Sequence, residues 1–86
     1  MAYEIRLKPS AVRDLEVLPR PVQTRVARKI DGLAEDPFPR GSKKLEGKEN
    51  LRRIRVGDYR IIYEVRKKVL VVLVVRIRHR ADVYRS

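Results

Sequence analysis

The chain has 86 residues, a length that fits one domain over residues 1–86 with a single hydrophobic core. It contains no cysteine, which excludes disulfide bridges and thiolate metal sites, and its one histidine, His79, is not expected to hold a metal alone. The 22 Lys and Arg residues against 11 Asp and Glu residues give a formal net charge of +11. The partners expected first are therefore nucleic acids, then an anionic membrane surface, then an acidic protein.

The longest apolar run, residues 69–75, is too short to cross a bilayer. The first six residues lack the apolar stretch and the small-residue cleavage site of a signal peptide. The default expectation is a cytoplasmic protein with no place in a membrane.

The chain opens with the pattern of a strand that leads into a helix. Tyr3, Ile5 and Leu7 alternate with charged residues, which is the period-two pattern of a half-buried strand. Pro9 and Ser10 suit the start of a helix, the first by its fixed φ and the second by capping.

Two helices follow, separated by the prolines of residues 19–21. The second has an apolar stripe with cations beside it, and the proline-rich residues 36–39 end it. Because the link is so short, the helices should form a hairpin packed against a sheet. The stripe consists of Val22, Val26, Ile30 and Leu33.

The second half of the chain predicts a loop over residues 40–50 and then three strands. The strands span residues 51–56, 59–65 and 69–77, with turns at residues 57–58 and 66–68. The last is the longest and most apolar, so it belongs in the middle of the sheet. The prediction is an α+β domain: an N-terminal strand, an α-helical hairpin and a three-stranded antiparallel meander, all strands in one curved sheet.

Arginines occur within these late strands, where side-chain directions are fixed. Arg53 and Arg55 are two residues apart and share a face of their strand. Arg60 lies among apolar neighbours, where a charge is costly unless it faces water or an anion. If the three strands are neighbours, their arginines converge on one concave surface away from the helices.

The last strand and the residues after it add more cations. Arg76 and Arg78 share a face, Arg80 lies just beyond, and Tyr84 follows with a ring that could stack on an unpaired base. Arginine forks suit phosphate and stabilise the charge that develops when a phosphodiester is cleaved. A solvated sheet face and a core-filling tyrosine would give the same pattern, so the cations alone leave both interpretations open.

Three segments resemble the RelE/ParE toxin superfamily. Residues 53–63 (RIRVGDYRIIY) look like its central signature. Residues 77–84 (IRHRADVY) are similar to its closing motif, in which Gly-His-Arg usually precedes Val-Tyr. Residues 9–15 (PSAVRDL), followed by Leu18 and Pro19, resemble its opening. The matches lie in the right order and cover nearly the whole chain.

The resemblance implies the same fold and a specific activity. It implies cleavage of mRNA in the ribosomal A site without a metal or other cofactor, by attack of a ribose 2′-hydroxyl on the adjacent phosphate. It also implies that a RelB-like antitoxin neutralises the toxin in a hetero-oligomeric complex. The expected partners are therefore the antitoxin, the ribosome and mRNA.

Five positions match the family's functional residues. Arg53 and Arg55 match its paired cations, Arg60 the arginine of the central motif, Arg80 the arginine of the closing motif, and Tyr84 its tyrosine. The resemblance implies that the cations hold the phosphate and that the tyrosine orients the base or the nucleophile.

Two departures from the family pattern leave roles open. The family often has lysines where this chain has Arg53 and Arg55, and arginine is a poor general base because its guanidinium group keeps its proton. Tyr84, His79 or a ribosomal group would then take the proton. Arg78 stands where glycine is usual, and it either adds a phosphate contact or shifts which of Arg78 and Arg80 carries the role of the closing-motif arginine.

Two other functions are also compatible with the sequence. The first is a ParE-like inhibitor of DNA gyrase, which would have the same fold and no nuclease activity. The second is a basic nucleic-acid-binding module that has lost catalysis, an alternative favoured by the missing lysines. The set of cations at Arg53, Arg55, Arg60 and Arg80, together with Tyr84, favours the nuclease, because a gyrase inhibitor does not need them together.

Overall fold

A computed structural model describes residues 2–47 and 50–83 and confirms the predicted α+β class. Within these residues, no helix has both the length and the apolar composition needed to span a bilayer. The elements in chain order are β1 (Glu4–Leu7), α1 (Pro9–Glu16), α2 (Arg20–Gly32), β2 (Lys43–Lys44), β3 (Leu51–Val56), β4 (Tyr59–Arg66), β5 (Val71–His79) and α3 (Arg80–Val83).

The sheet has five strands in the order β1-β5-β4-β3-β2. The predicted antiparallel meander is formed by β3, β4 and β5. Two details differ from the sequence prediction: β1 pairs with β5 in parallel, and the predicted loop over residues 40–50 contains the short strand β2, which pairs with β3. The parallel pairing covers the second edge of β5, as its strongly apolar sequence requires.

The boundaries of β5 are shifted relative to the prediction. Val69 and Leu70 belong to the turn after β4, and β4 itself continues through Arg66. Leu70 has a positive φ of 55°, and Val69 is 64% exposed. The apolar run therefore begins inside a turn, while the strand extends two residues beyond the predicted end, to His79. β5 is an interior strand, between β1 and β4.

The core lies between the helical hairpin and one face of the sheet. Ile54, Ile61 and Ile77 stand opposite each other on β3, β4 and β5 and are buried. Tyr63 is also fully buried, and its hydroxyl donates a hydrogen bond of 2.9 Å to the carbonyl oxygen of Pro37. The other buried apolar residues are Ala11, Val26, Ile30, Leu33, Val72 and Val74, which include most of the predicted α2 stripe.

Helix α1 and the residue before it cover the part of the β5 edge that β1 leaves open. The pairing of β1 with β5 ends at Val74. Three hydrogen bonds continue along the edge: Lys8 N to Val74 O (2.9 Å), Ser10 Oγ to Val75 O (2.9 Å) and Ile77 N to Asp14 Oδ2 (2.9 Å). Polar groups of one short segment thus satisfy backbone groups that a neighbouring strand would otherwise bond.

Candidate nucleic-acid interface

Three arginines form one row across the sheet. Arg60 of β4 stands directly opposite Arg55 of β3 on one side and Arg78 of β5 on the other. Directly paired residues share a face with their Cβ atoms about 4.5–5.5 Å apart. Because residues alternate along each strand, this arginine row lies on the face opposite the buried isoleucines, away from the helices.

Arg60 at the centre of the row is buried, with only 7% of its surface exposed. Its Nε atom has no hydrogen-bond partner among the described residues, and none of the ion pairs formed among them involves Arg60. A buried cation between two like charges, with an unpaired donor, is an arrangement that a bound anion would stabilise.

A cavity of about 150 Å³ lies beside Arg55 and Arg60 of the arginine row. The β3–β4 turn bounds it, where Gly57 adopts a positive φ of 60°. The amide of Arg80 donates a hydrogen bond of 2.7 Å to the carbonyl oxygen of Asp58, which fixes the start of α3 against this turn. The lining residues are Arg55, Gly57, Asp58, Tyr59, Arg60 and Arg80.

Of the predicted site residues, Arg55, Arg60 and Arg80 therefore meet in one cavity. Arg78 flanks Arg60 in the arginine row. Arg53 lines an adjoining concavity of about 260 Å³ together with Arg55, Gly41 and Lys43.

His79 faces away from the arginine row. It pairs with Tyr59 in the sheet register, two residues after the buried Ile77, and the two rings meet edge to face with centroids 5.0 Å apart. Its Nδ1 accepts a hydrogen bond of 3.2 Å from the amide of Ala81, in the first turn of α3. While that bond is formed, Nδ1 cannot accept a proton from a substrate, and His79 instead acts as the cap of α3.

Tyr84 lies outside the described residues. Arg76, which the alternation pattern groups with Arg78, is held by Asp14 of α1 through Nε (2.8 Å) and Nη2 (3.3 Å). Arg76 is therefore part of the contact between α1 and β5 and is not a free cation.

The cavity also contains residues that the strand pattern did not select. Asp58 and Tyr59 line it because the β3–β4 turn folds over its edge. The sequence feature that could have identified these two residues is their position directly after Gly57 in the central motif. Among the described residues, no group of three or more His, Cys, Asp or Glu side chains is placed to hold a metal ion.

Comparison with known proteins identifies relatives along almost the whole chain. Residues 5–84 match the family described as ParE toxin of type II toxin-antitoxin system, parDE. The toxin RelG of Mycobacterium tuberculosis is 34% identical over 89 residues, covering 99% of each chain.

Solved structures give the same result. The archaeal RelE–RelB complex from Pyrococcus horikoshii OT3 contains a chain with a TM-score of 0.82 and 34% identity, with 93% of this chain and 97% of that chain covered. The toxin–antitoxin complex RelBE2 from Mycobacterium tuberculosis contains another, with a TM-score of 0.82, 27% identity, and coverage of 92% and 99%.

Proposed function

Because the chain belongs to the ParE toxin family of type II toxin–antitoxin systems, we propose that it is a ribosome-dependent endoribonuclease that cleaves mRNA in the A site. The observation that carries this proposal is Arg60, a buried cation with an unpaired Nε between Arg55 and Arg78. A phosphate group would satisfy this unpaired donor and compensate the neighbouring positive charges.

In the proposed reaction the ribose 2′-hydroxyl attacks the adjacent phosphorus. The bond from phosphorus to the 5′-oxygen breaks, leaving a 2′,3′-cyclic phosphate and a free 5′-hydroxyl once the leaving oxygen takes up a proton. Negative charge accumulates on the phosphate oxygens between these steps. Arg60 and Arg80, with Arg55 beside them, are preorganised cations that stabilise that charge.

The cations cannot remove the 2′-hydroxyl proton, since arginine stays protonated. The bond between His79 Nδ1 and the Ala81 amide argues against His79 as the base. We assign the removal of the 2′-hydroxyl proton, and the donation of a proton to the leaving 5′-oxygen, to Tyr84 or to a ribosomal group. Arg53 and Arg78 are assigned to holding the phosphates at the two sides of the cavity.

The proposed partner is a RelB-like antitoxin, because the chains of Pyrococcus horikoshii and Mycobacterium tuberculosis that share this fold were solved as toxin–antitoxin complexes. The formal charge of +11 favours an acidic segment of the antitoxin. Such a segment would neutralise the toxin by covering the arginine row or by displacing the C-terminal segment. The complex would be a hetero-oligomer.

Induced expression in bacterial cells, with mapping of mRNA 5′ ends, tests the nuclease. We expect growth arrest with new, codon-phased cuts in translated mRNA. Arg60→Ala should abolish both, Tyr84→Phe should reduce them, and Lys68→Ala, which removes an exposed cation in the β4–β5 turn, should leave them unchanged.

Other outcomes would favour the alternatives. Growth arrest without mRNA cuts would move the assignment to a gyrase inhibitor, the activity expected of a ParE-like protein. If growth arrest and mRNA cuts were both absent, the protein would be a nucleic-acid-binding module without catalysis.

A further inference from the structure

A second basic concavity adjoins the arginine cavity. It has a volume of about 420 Å³ and is open to solvent along one side of α2. Arg55 and Gly57 line both the arginine cavity and this second concavity, so the two are contiguous across the β3–β4 turn. The remaining lining residues are Arg25, Arg28, Lys29 and Val56.

The three cations of α2 are arranged on one side of the helix. Arg25, Arg28 and Lys29 occupy positions i, i+3 and i+4, which are neighbours on a helix surface. All three are exposed, while the same helix buries Val26 and Ile30 against the sheet. None of the ion pairs among the described residues involves these cations. Their charge is therefore not compensated within the described part of the chain.

The absence of a side chain at Gly57 lets the Arg25 side chain lie against the β3–β4 turn. A Cβ atom at this position would lie 3.2 Å from Nη2 of Arg25, so the guanidinium rests against the turn itself. The φ of 60° at Gly57 is also one that other residues rarely adopt. Arg25 thus reaches from α2 to the rim of the arginine cavity.

We propose that Arg25, Arg28 and Lys29 form a second phosphate-binding site, which holds RNA phosphates next to the one bound at Arg60. A single phosphate group would need only the arginine cavity. A polymer with a phosphate at every nucleotide fits two contiguous basic concavities. This inference rests on the proposed function, because it takes RNA as the ligand. The phosphates belong either to the bound transcript or to ribosomal RNA.

The test compares two charge-matched variants in RNA binding. Arg25→Gln/Arg28→Gln removes two charges from the proposed site. Lys67→Gln/Lys68→Gln removes two exposed charges from the β4–β5 turn, at the other end of β4. The probe is fluorescein-labelled oligouridine of twelve nucleotides, and affinity is measured by anisotropy over a range of KCl concentrations.

We expect the α2 variant to bind RNA more weakly. The negative slope of log affinity against log salt should become shallower by about 1.4, because each of the two lost phosphate contacts on single-stranded RNA accounts for about 0.7. The turn variant should keep the wild-type slope. Equal losses of RNA affinity in both variants would overturn the proposal, since the lower net charge alone would explain them. An unchanged slope in both, for oligouridine and for ribosomal subunits, would overturn it too.

A parallel measurement with purified small ribosomal subunits separates the two phosphate sources. A defect of the α2 variant on subunits alone assigns the site to ribosomal RNA, and a defect on oligouridine assigns it to the transcript. Thermal unfolding of both variants controls for folding. The proposed function has a separate test: the wild type should cleave mRNA in cells and Arg60→Ala should not. The proposed function can therefore be confirmed even if the α2 site is not.

Discussion

Replacement of Arg60 by methionine should stabilise the fold and abolish toxicity. The arginine row forces a buried cation between Arg55 and Arg78. For two like unit charges taken as about 7 Å apart, Coulomb repulsion lies between about 0.6 and 2.4 kcal/mol per pair as the effective dielectric constant falls from about 80 to about 20. Arg55 is exposed and belongs near the lower limit, and half-buried Arg78 belongs between the two.

The two repulsions together destabilise the free protein by about 2 kcal/mol on this reasoning, and the unpaired Nε adds to that cost. Methionine keeps most of the aliphatic contacts of the arginine stem and removes the charge. For a domain of this size, a gain of about 2 kcal/mol corresponds to a rise in Tm of roughly 8–16 °C.

Thermal unfolding followed by circular dichroism at low ionic strength measures this effect, with growth arrest as the functional readout. Lys68→Met is the control, because it removes the same charge from an exposed turn position and should change stability by less than about 0.5 kcal/mol. A fall in Tm for Arg60→Met would refute the reasoning, since the guanidinium would then contribute more through its contacts than it costs by repulsion. An equal rise in Tm for both variants would indicate that the gain in stability comes from the lower net charge.

Three further substitutions test other parts of the structure. Tyr63→Phe leaves the carbonyl of Pro37 without its partner and should cost about 1–2 kcal/mol in urea unfolding; no loss would mean that water replaces the hydroxyl. Asp14→Ala removes the acceptor of the Ile77 amide and should cost about 2–3 kcal/mol in the same assay, whereas Asp14→Asn should recover part of it. His79→Ala should lower RNA cleavage by releasing the cap of α3, and His79→Asn should restore it; equal loss in both would instead indicate a role in proton transfer.

The sequence predicted the elements whose signals are local. Prolines marked the starts of both helices, and the stripe through Val26 and Ile30 identified the side of α2 that is buried. The arginine row also followed, because strict alternation on consecutive strands fixes which side chains share a face. Arg55 and Arg60 therefore met where they were expected.

The remaining features depend on contacts between distant parts of the chain. The pair of Arg76 with Asp14 joins residues 62 positions apart, next to a register shift at Ile62 and Tyr63, and alternation cannot show either. β2 has only two residues, both lysines, so it carries no apolar pattern. The position of Val69 in a turn could not be predicted from the sequence either, because an apolar residue before an apolar strand has the same pattern as the first residue of that strand.

The cover that α1 places on β5 also affects self-association. Open strand edges are the usual sites where protein chains pair with each other and aggregate. Along residues 74–77 of β5, backbone groups are already bonded to Lys8, Ser10 and Asp14, so an incoming strand would find them occupied. The outer strands in the described part of the chain are the four-residue β1 and the two-residue β2, which offer short templates. On the β5 side of the sheet, a toxin released from its partner thus has little backbone with which to aggregate, whereas on the other side β2 pairs only with Arg52 and Arg53 of β3.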